Sequence, residues 1–192
     1  MKKVIAKILR ILTIPPLLVT ALLSVIYFTR DTTFRGLNDY LAAVICLAVI
    51  PALAYPLQPI IPGFKGKGRD GQRELAFVMS TIGYIVGFAY AFISNAPNEF
   101  KFIIAAYLLS VILLLIFNKI FHLKASGHAC GVLGPLLFAV YFLGPIWVIP
   151  CSIVAACVAW SSVALSRHTP KDLCLGGVCA LTAFITMGIG IL

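Results

Sequence analysis

Seven apolar runs of about 20 residues each, at 8–28, 39–61, 75–94, 102–121, 128–144, 146–166 and 173–192, decide what this chain can fold into. A helix of that length crosses a hydrocarbon core and satisfies its own backbone hydrogen bonds there, a service lipid does not provide. With 61% hydrophobic and 11% charged residues, the 192-residue chain has too few polar groups to coat a soluble domain. The expected fold is all-α: a polytopic transmembrane helical bundle of six to seven spans, one domain over residues 1–192. No linker is long enough to separate two domains. The fifth and sixth runs meet at Gly144-Pro145 and read as a tight hairpin or one broken helix. Lys2-Lys3 ahead of an apolar run looks superficially like a signal peptide. The run contains Arg10 and continues past Pro15-Pro16 to Phe28 without a small-residue cleavage site, so it reads as a retained first span.

Fifteen Lys and Arg against six Asp and Glu give a formal net charge of +9. These bases lie in short segments between the apolar runs, and no nucleic-acid motif accompanies them. Their expected partners are therefore the lipid bilayer and a phosphate-bearing substrate, not nucleic acid. The six cysteines form no C-x-x-C pair and fall in or beside apolar runs, where they read as buried free thiols and not as a metal site.

Three connecting segments are basic and rich in small residues: 64–74, 122–128 and 166–172. Two runs separate each from the next, and an even number of crossings returns the chain to one face, so all three share a side of the membrane. Arg30, Arg35 and Lys101 fall on the opposite face and the other 12 of the 15 Lys and Arg on the motif face. That balance places the motif face in the cytoplasm.

In the last segment His168 and Asp172 stand four apart, with Thr169 suited to a helix N-cap and Pro170 to the first helical position. Asp172 in the first turn can then fold back towards the His168 imidazole. A carboxylate on one ring nitrogen fixes the tautomer and frees the other as nucleophile or base. The plainer alternative is an interfacial histidine beside a helix cap. Lys124-Ala125-Ser126-Gly127-His128 opens another apolar run, where Ser126 and Gly127 can offer N–H groups and a hydroxyl to phosphate, Lys124 adds charge, and His128 can protonate a leaving alkoxide. Here the alternative is a polar helix start. Arg73 heads the third run and can fork onto phosphate oxygens, whereas Lys65 and Lys67 read equally well as membrane anchors. His122 reads as interfacial.

Together these segments resemble the type-2 phosphatidic acid phosphatase superfamily, whose pattern is K-x6-R-P, then P-S-G-H, then S-R-x5-H-x3-D. Ser126-Gly127-His128 matches the second motif except for its proline, which is Ala125 here. Ser161, His168 and Asp172 match the third in spacing, and Gly176-Gly177 follows. Order and separation agree over about residues 65–177. The first motif is degenerate, with Glu74 in place of proline, and the arginine of the third motif is Ser162. The resemblance implies that His168 attacks phosphorus to form a phosphohistidine, that Asp172 orients it, and that His128 protonates the leaving group. It implies no metal or other cofactor, and assigns Lys67, Arg73, Ser126 and Gly127 to the phosphate oxygens, with Arg167 or Lys124 as substitutes for the missing arginine. Loss of that arginine weakens transition-state stabilisation.

The function expected is metal-independent dephosphorylation of a membrane lipid phosphate, either a phospholipid-synthesis intermediate or a polyprenyl diphosphate. The rival readings are a non-hydrolytic transporter, which the scarcity of ionisable groups in mid-span disfavours, and an inactive lipid-binding homologue. Oligomeric state is not legible in the residues.

Overall fold

The computed structural model describes residues 2–192. Its elements are α1 (Lys2–Leu12), α2 (Pro15–Thr29), α3 (Leu37–Leu57), α4 (Gly68–Ile93), α5 (Asn98–Ile120), α6 (Gly127–Leu143), α7 (Pro145–Ala164) and α8 (Pro170–Ile191). The described residues contain no strand, and the all-α bundle is the observed fold.

The first run departs from its expected course. It is not one helix over 8–28 but two, α1 and α2, meeting at 47°. Pro15 and Pro16 explain the break, because a residue ahead of proline is pushed out of the helical region and Ile14 is extended, with ψ 137°. Five helices are long and apolar enough to cross a membrane, and the bent α1–α2 pair makes a sixth. α6 has 17 residues, about 26 Å at 1.5 Å per residue, and is an apolar helix shorter than those five. Its start is hydrogen-bonded to the start of α8, so α6 and α7 must run out and back between those two points.

α5 is the centre of the bundle: Phe100, Phe102, Ile103 and Ile104 are wholly buried, and α4, α6 and α8 pack around them. Phe138 and Phe184 close on Phe102 at ring separations of 5.0 and 5.2 Å. Isoleucines and valines at the surface, such as Ile85, Ile153 and Ile189, face outward, as a lipid-bathed bundle requires. α3 widens to a π turn at Ile45–Val49 just before Pro51, whose missing N–H interrupts the regular ladder. α4 lies directly on that turn at Gly83, where a Cβ would overlap the Cys46 carbonyl oxygen.

The end of the bundle away from the motifs is latched by polar contacts. Arg35 forks onto Asp39 at 2.8 Å from Nε and from Nη2, and Nη2 also reaches the Ser94 hydroxyl. Arg30 donates to the Phe142 carbonyl, and Thr33 to Glu99. All six cysteines are free thiols, four of them buried.

Candidate functional site

Three helices, α4, α6 and α8, begin at the same end of the bundle, so three sets of unpaired first-turn N–H groups and three positive dipole ends point towards one region. The sequence builds each start differently. α8 opens with the expected capping box: Thr169 Oγ1 accepts from the Asp172 N–H at 3.2 Å, and Asp172 Oδ2 accepts from the Thr169 N–H at 3.2 Å. α6 opens on Ser126, whose hydroxyl accepts from the Ala129 N–H at 3.2 Å. The two are joined by the Ser126 N–H, which donates to the Asp172 carbonyl at 2.9 Å. Gly176 permits that approach, since any Cβ there would overlap the Ser126 carbonyl oxygen. The second and third sequence segments are therefore locked together through backbone.

His168 sits in the loop between α7 and α8, its side chain 5% exposed, with Nδ1 3.5 Å from Asp172 Oδ2. That separation is ion-pair range but longer than a formed hydrogen bond, because the carboxylate is occupied by Thr169, whose hydroxyl donates to Oδ1 at 2.8 Å. Among the described residues, three buried side-chain nitrogen or oxygen atoms lack a hydrogen-bond partner: Tyr107 Oη, His128 Nε2 and His168 Nδ1. Two of the three are ring nitrogens of the paired histidines. A buried orphan costs free energy unless a ligand satisfies it. The rings are close enough that His128 senses the charge of His168. Burial above all, then Arg73 and Arg10, pulls the His168 ring below its ordinary value, while Asp172 pushes it back up.

Around the histidines gather cations. Arg73 acts on His168, Arg167 on His128, and Lys124 on Asp172. Burial and the nearby Arg69 hold Arg167 below the usual arginine value. None of Arg10, Arg69, Arg73, Arg167 or Lys124 forms an ion pair with a carboxylate among the described residues. At the opposite end Arg35 is paired with Asp39.

The structure thus brings together His128, His168, Asp172, Ser126, Gly127, Lys124, Arg73 and Arg167. Ser126 contributes less than its motif suggests, since its N–H is already given to Asp172 and its oxygen caps Ala129. The first-turn N–H groups of Gly127 and His128 remain for a ligand. Lys67 stands apart, 3.4 Å from Glu74 and over the Phe64 ring. His122 is exposed at the end of α5, as its interfacial reading required. Arg69 and Arg10 were not singled out from the sequence. The available signal for Arg10 was its isolation as the one charge within Ile8-Leu9-Arg10-Ile11-Leu12.

A cleft of about 430 Å³ opens beside α6 between α7 and α8, lined by residues such as Leu133, Leu137, Val148, Ala155 and Phe184. Leu133 lies about 8 Å along α6 from His128, at 1.5 Å per residue, so the apolar cleft begins just below the polar cluster.

Fold and site define an all-α integral membrane protein with a histidine pair among cationic side chains at one end. Compared with family models, curated proteins and solved structures, the chain shows no match.

Proposed function

We propose that this protein is a lipid phosphate phosphatase that works through a phosphohistidine and needs no metal. The observation that carries the reading is the orphaned His128 Nε2 together with His168, whose Nδ1 stands 3.5 Å from Asp172, set among arginines that no carboxylate neutralises. Such a pocket favours an anion with several acceptor oxygens, and the converging helix starts add to that preference.

Asp172 holds the Nδ1 side of His168, leaving Nε2 as the nucleophile. Nε2 attacks phosphorus, the bond from phosphorus to the lipid oxygen breaks, and His128 gives that oxygen a proton. The phosphohistidine carries its positive charge beside Asp172. Water then attacks phosphorus, passes a proton to His128, and the P–N bond breaks to free phosphate and neutral His168. Arg73, Arg167 and Lys124, with the N–H groups of Gly127 and His128, hold the non-bridging oxygens. The apolar cleft next to the cluster supports a substrate with an acyl or prenyl tail over a soluble phosphate ester. Phosphatidic acid, phosphatidylglycerophosphate and polyprenyl diphosphate share that chemistry.

The test is phosphate release by detergent-purified protein over a panel of lipid phosphates in EDTA. Release that survives EDTA and disappears in His168→Ala and His128→Ala supports the reading. Release that continues in both variants, or none from folded wild type on any lipid, removes it.

A further inference from the structure

The N-terminal helix delivers a cation to Ser162, a position at which α7 carries no charge of its own. On α1, Val4, Ile5, Ile8, Ile11 and Leu12 form an exposed apolar stripe, while Ala6, fully buried, and Arg10, half-buried, lie one turn apart on the opposite side. The buried side rests on α7. There Arg10 Nη1 donates to the hydroxyl of Ser162 at 2.9 Å, and Ser162 is itself completely buried. This is the contact Arg10 makes through side-chain hydrogen bonding among the described residues, and a guanidinium has five N–H donors, so most remain unspent. Its charge is felt by both His128 and His168. Its charged neighbours include Arg167, Arg69 and Arg73, all repulsive.

A partly buried guanidinium surrounded by like charges and joined to protein by one neutral hydroxyl is not there to hold the fold together. We propose that Arg10 is a substrate-binding residue, the guanidinium that grips the phosphoryl oxygens between His128 and His168, with Ser162 fixing its direction. The inference rests on the phosphatase reading and deepens it: an arginine from α1 does across helices what α7 does not do at position 162. It also makes α1 part of the site and not only a membrane anchor. Its apolar stripe faces away from the bundle, the side that lipid would cover.

The experiment uses the full chain in detergent, reading phosphate release, orthovanadate binding and thermal stability for wild type, Arg10→Met, Arg10→Lys and the exchange Arg10→Ser with Ser162→Arg. Arg10→Met is expected to lower kcat/KM by about 10²–10³-fold, the scale of losing one oxyanion ligand. Its Tm should equal or exceed that of wild type, because a repelled charge has gone. Arg10→Lys should recover only part, an ammonium being a point charge without the fork. The exchange should return activity to within about tenfold of wild type, since the new guanidinium starts within one side-chain length of the same space.

Arg10→Met retaining release within about threefold of wild type would overturn the inference while leaving the phosphatase intact. Lost release with a lowered Tm and no recovery in the exchange would also overturn it, marking Arg10 as a packing residue. If wild type releases no phosphate but binds vanadate, and Arg10→Met does not, the anion site stands and the hydrolytic reading falls. A folded wild type that neither releases phosphate nor binds vanadate sinks both.

Discussion

Asp172 serves two neighbours with one carboxylate. It closes the capping box of α8 through the Thr169 N–H and hydroxyl, and it stands 3.5 Å from His168 Nδ1. Its effect on His168 is opposite in sign to that of Arg73, and this separates their roles by pH. The proposed phosphatase needs the neutral imidazole, so on that proposal the acid limb of kcat/KM reports the His168 value, which burial, Arg73 and Arg10 set below the ordinary 6.5. The wild-type limb should therefore lie below that of a solvated histidine. Arg73→Gln removes a depressing charge and should move the limb up towards 6.5. Asp172→Asn removes a raising group and should move it further down, with a large loss of rate because the imidazolium in the phosphoenzyme is no longer balanced. Limbs that coincide in all three proteins would mean that His168 is not the titrating nucleophile.

At the scale of elements, the site depends on how closely α8 can approach the start of α6. A Cβ at Gly176 overlaps the Ser126 carbonyl oxygen, whereas one at Gly177 meets Leu133 Cδ2 at 3.5 Å, an ordinary contact. Gly176→Ala should cost about 1–3 kcal/mol by overpacking and pull apart the Ser126–Asp172 hydrogen bond, with loss of activity. Gly177→Ala should be close to neutral in a thermal melt and in turnover. Equal behaviour of the two would mean that the backbone contact does not hold the site. The cap at Thr169-Pro170 and six of the seven runs were legible in the sequence, because each is a local pattern with a local cause, whereas Gly176-Gly177 entered only with the resemblance. The Arg10–Ser162 contact was not: its partners are 152 positions apart, and α1 reads as a lysine-rich anchor until α7 is seen behind it. Lys67, which the resemblance assigns to the phosphate oxygens, lies 3.4 Å from Glu74, a pairing its position in the sequence did not announce. The first run was read as continuing past Pro15-Pro16, and the 47° bend between α1 and α2 was not foreseen.

Across the whole molecule the two ends differ in how they spend their arginines. One end binds Arg30 and Arg35 to the Phe142 carbonyl and to Asp39, fastening the α2–α3 loop to its neighbours. The other leaves Arg10, Arg69, Arg73 and Arg167 unpaired and carries the surplus of lysines. Function explains part of that excess, so the site bases are poor witnesses to orientation. Lys2, Lys3, Lys7 and Lys119 touch no histidine, and they face only Arg30, Arg35 and Lys101 across the membrane. Positive residues are retained on the cytoplasmic side, and on that ground we propose that the site faces the cytoplasm and takes substrates made on that side. In a cysteine-free background, a single cysteine at Lys65, in the exposed segment ahead of α4, should resist a membrane-impermeant maleimide in intact cells and react in inverted vesicles. A cysteine at Asp31 in the α2–α3 loop should do the reverse. The opposite pattern would put the pocket outside, and the substrate would then be one that must be dephosphorylated after crossing the membrane, such as a spent polyprenyl carrier.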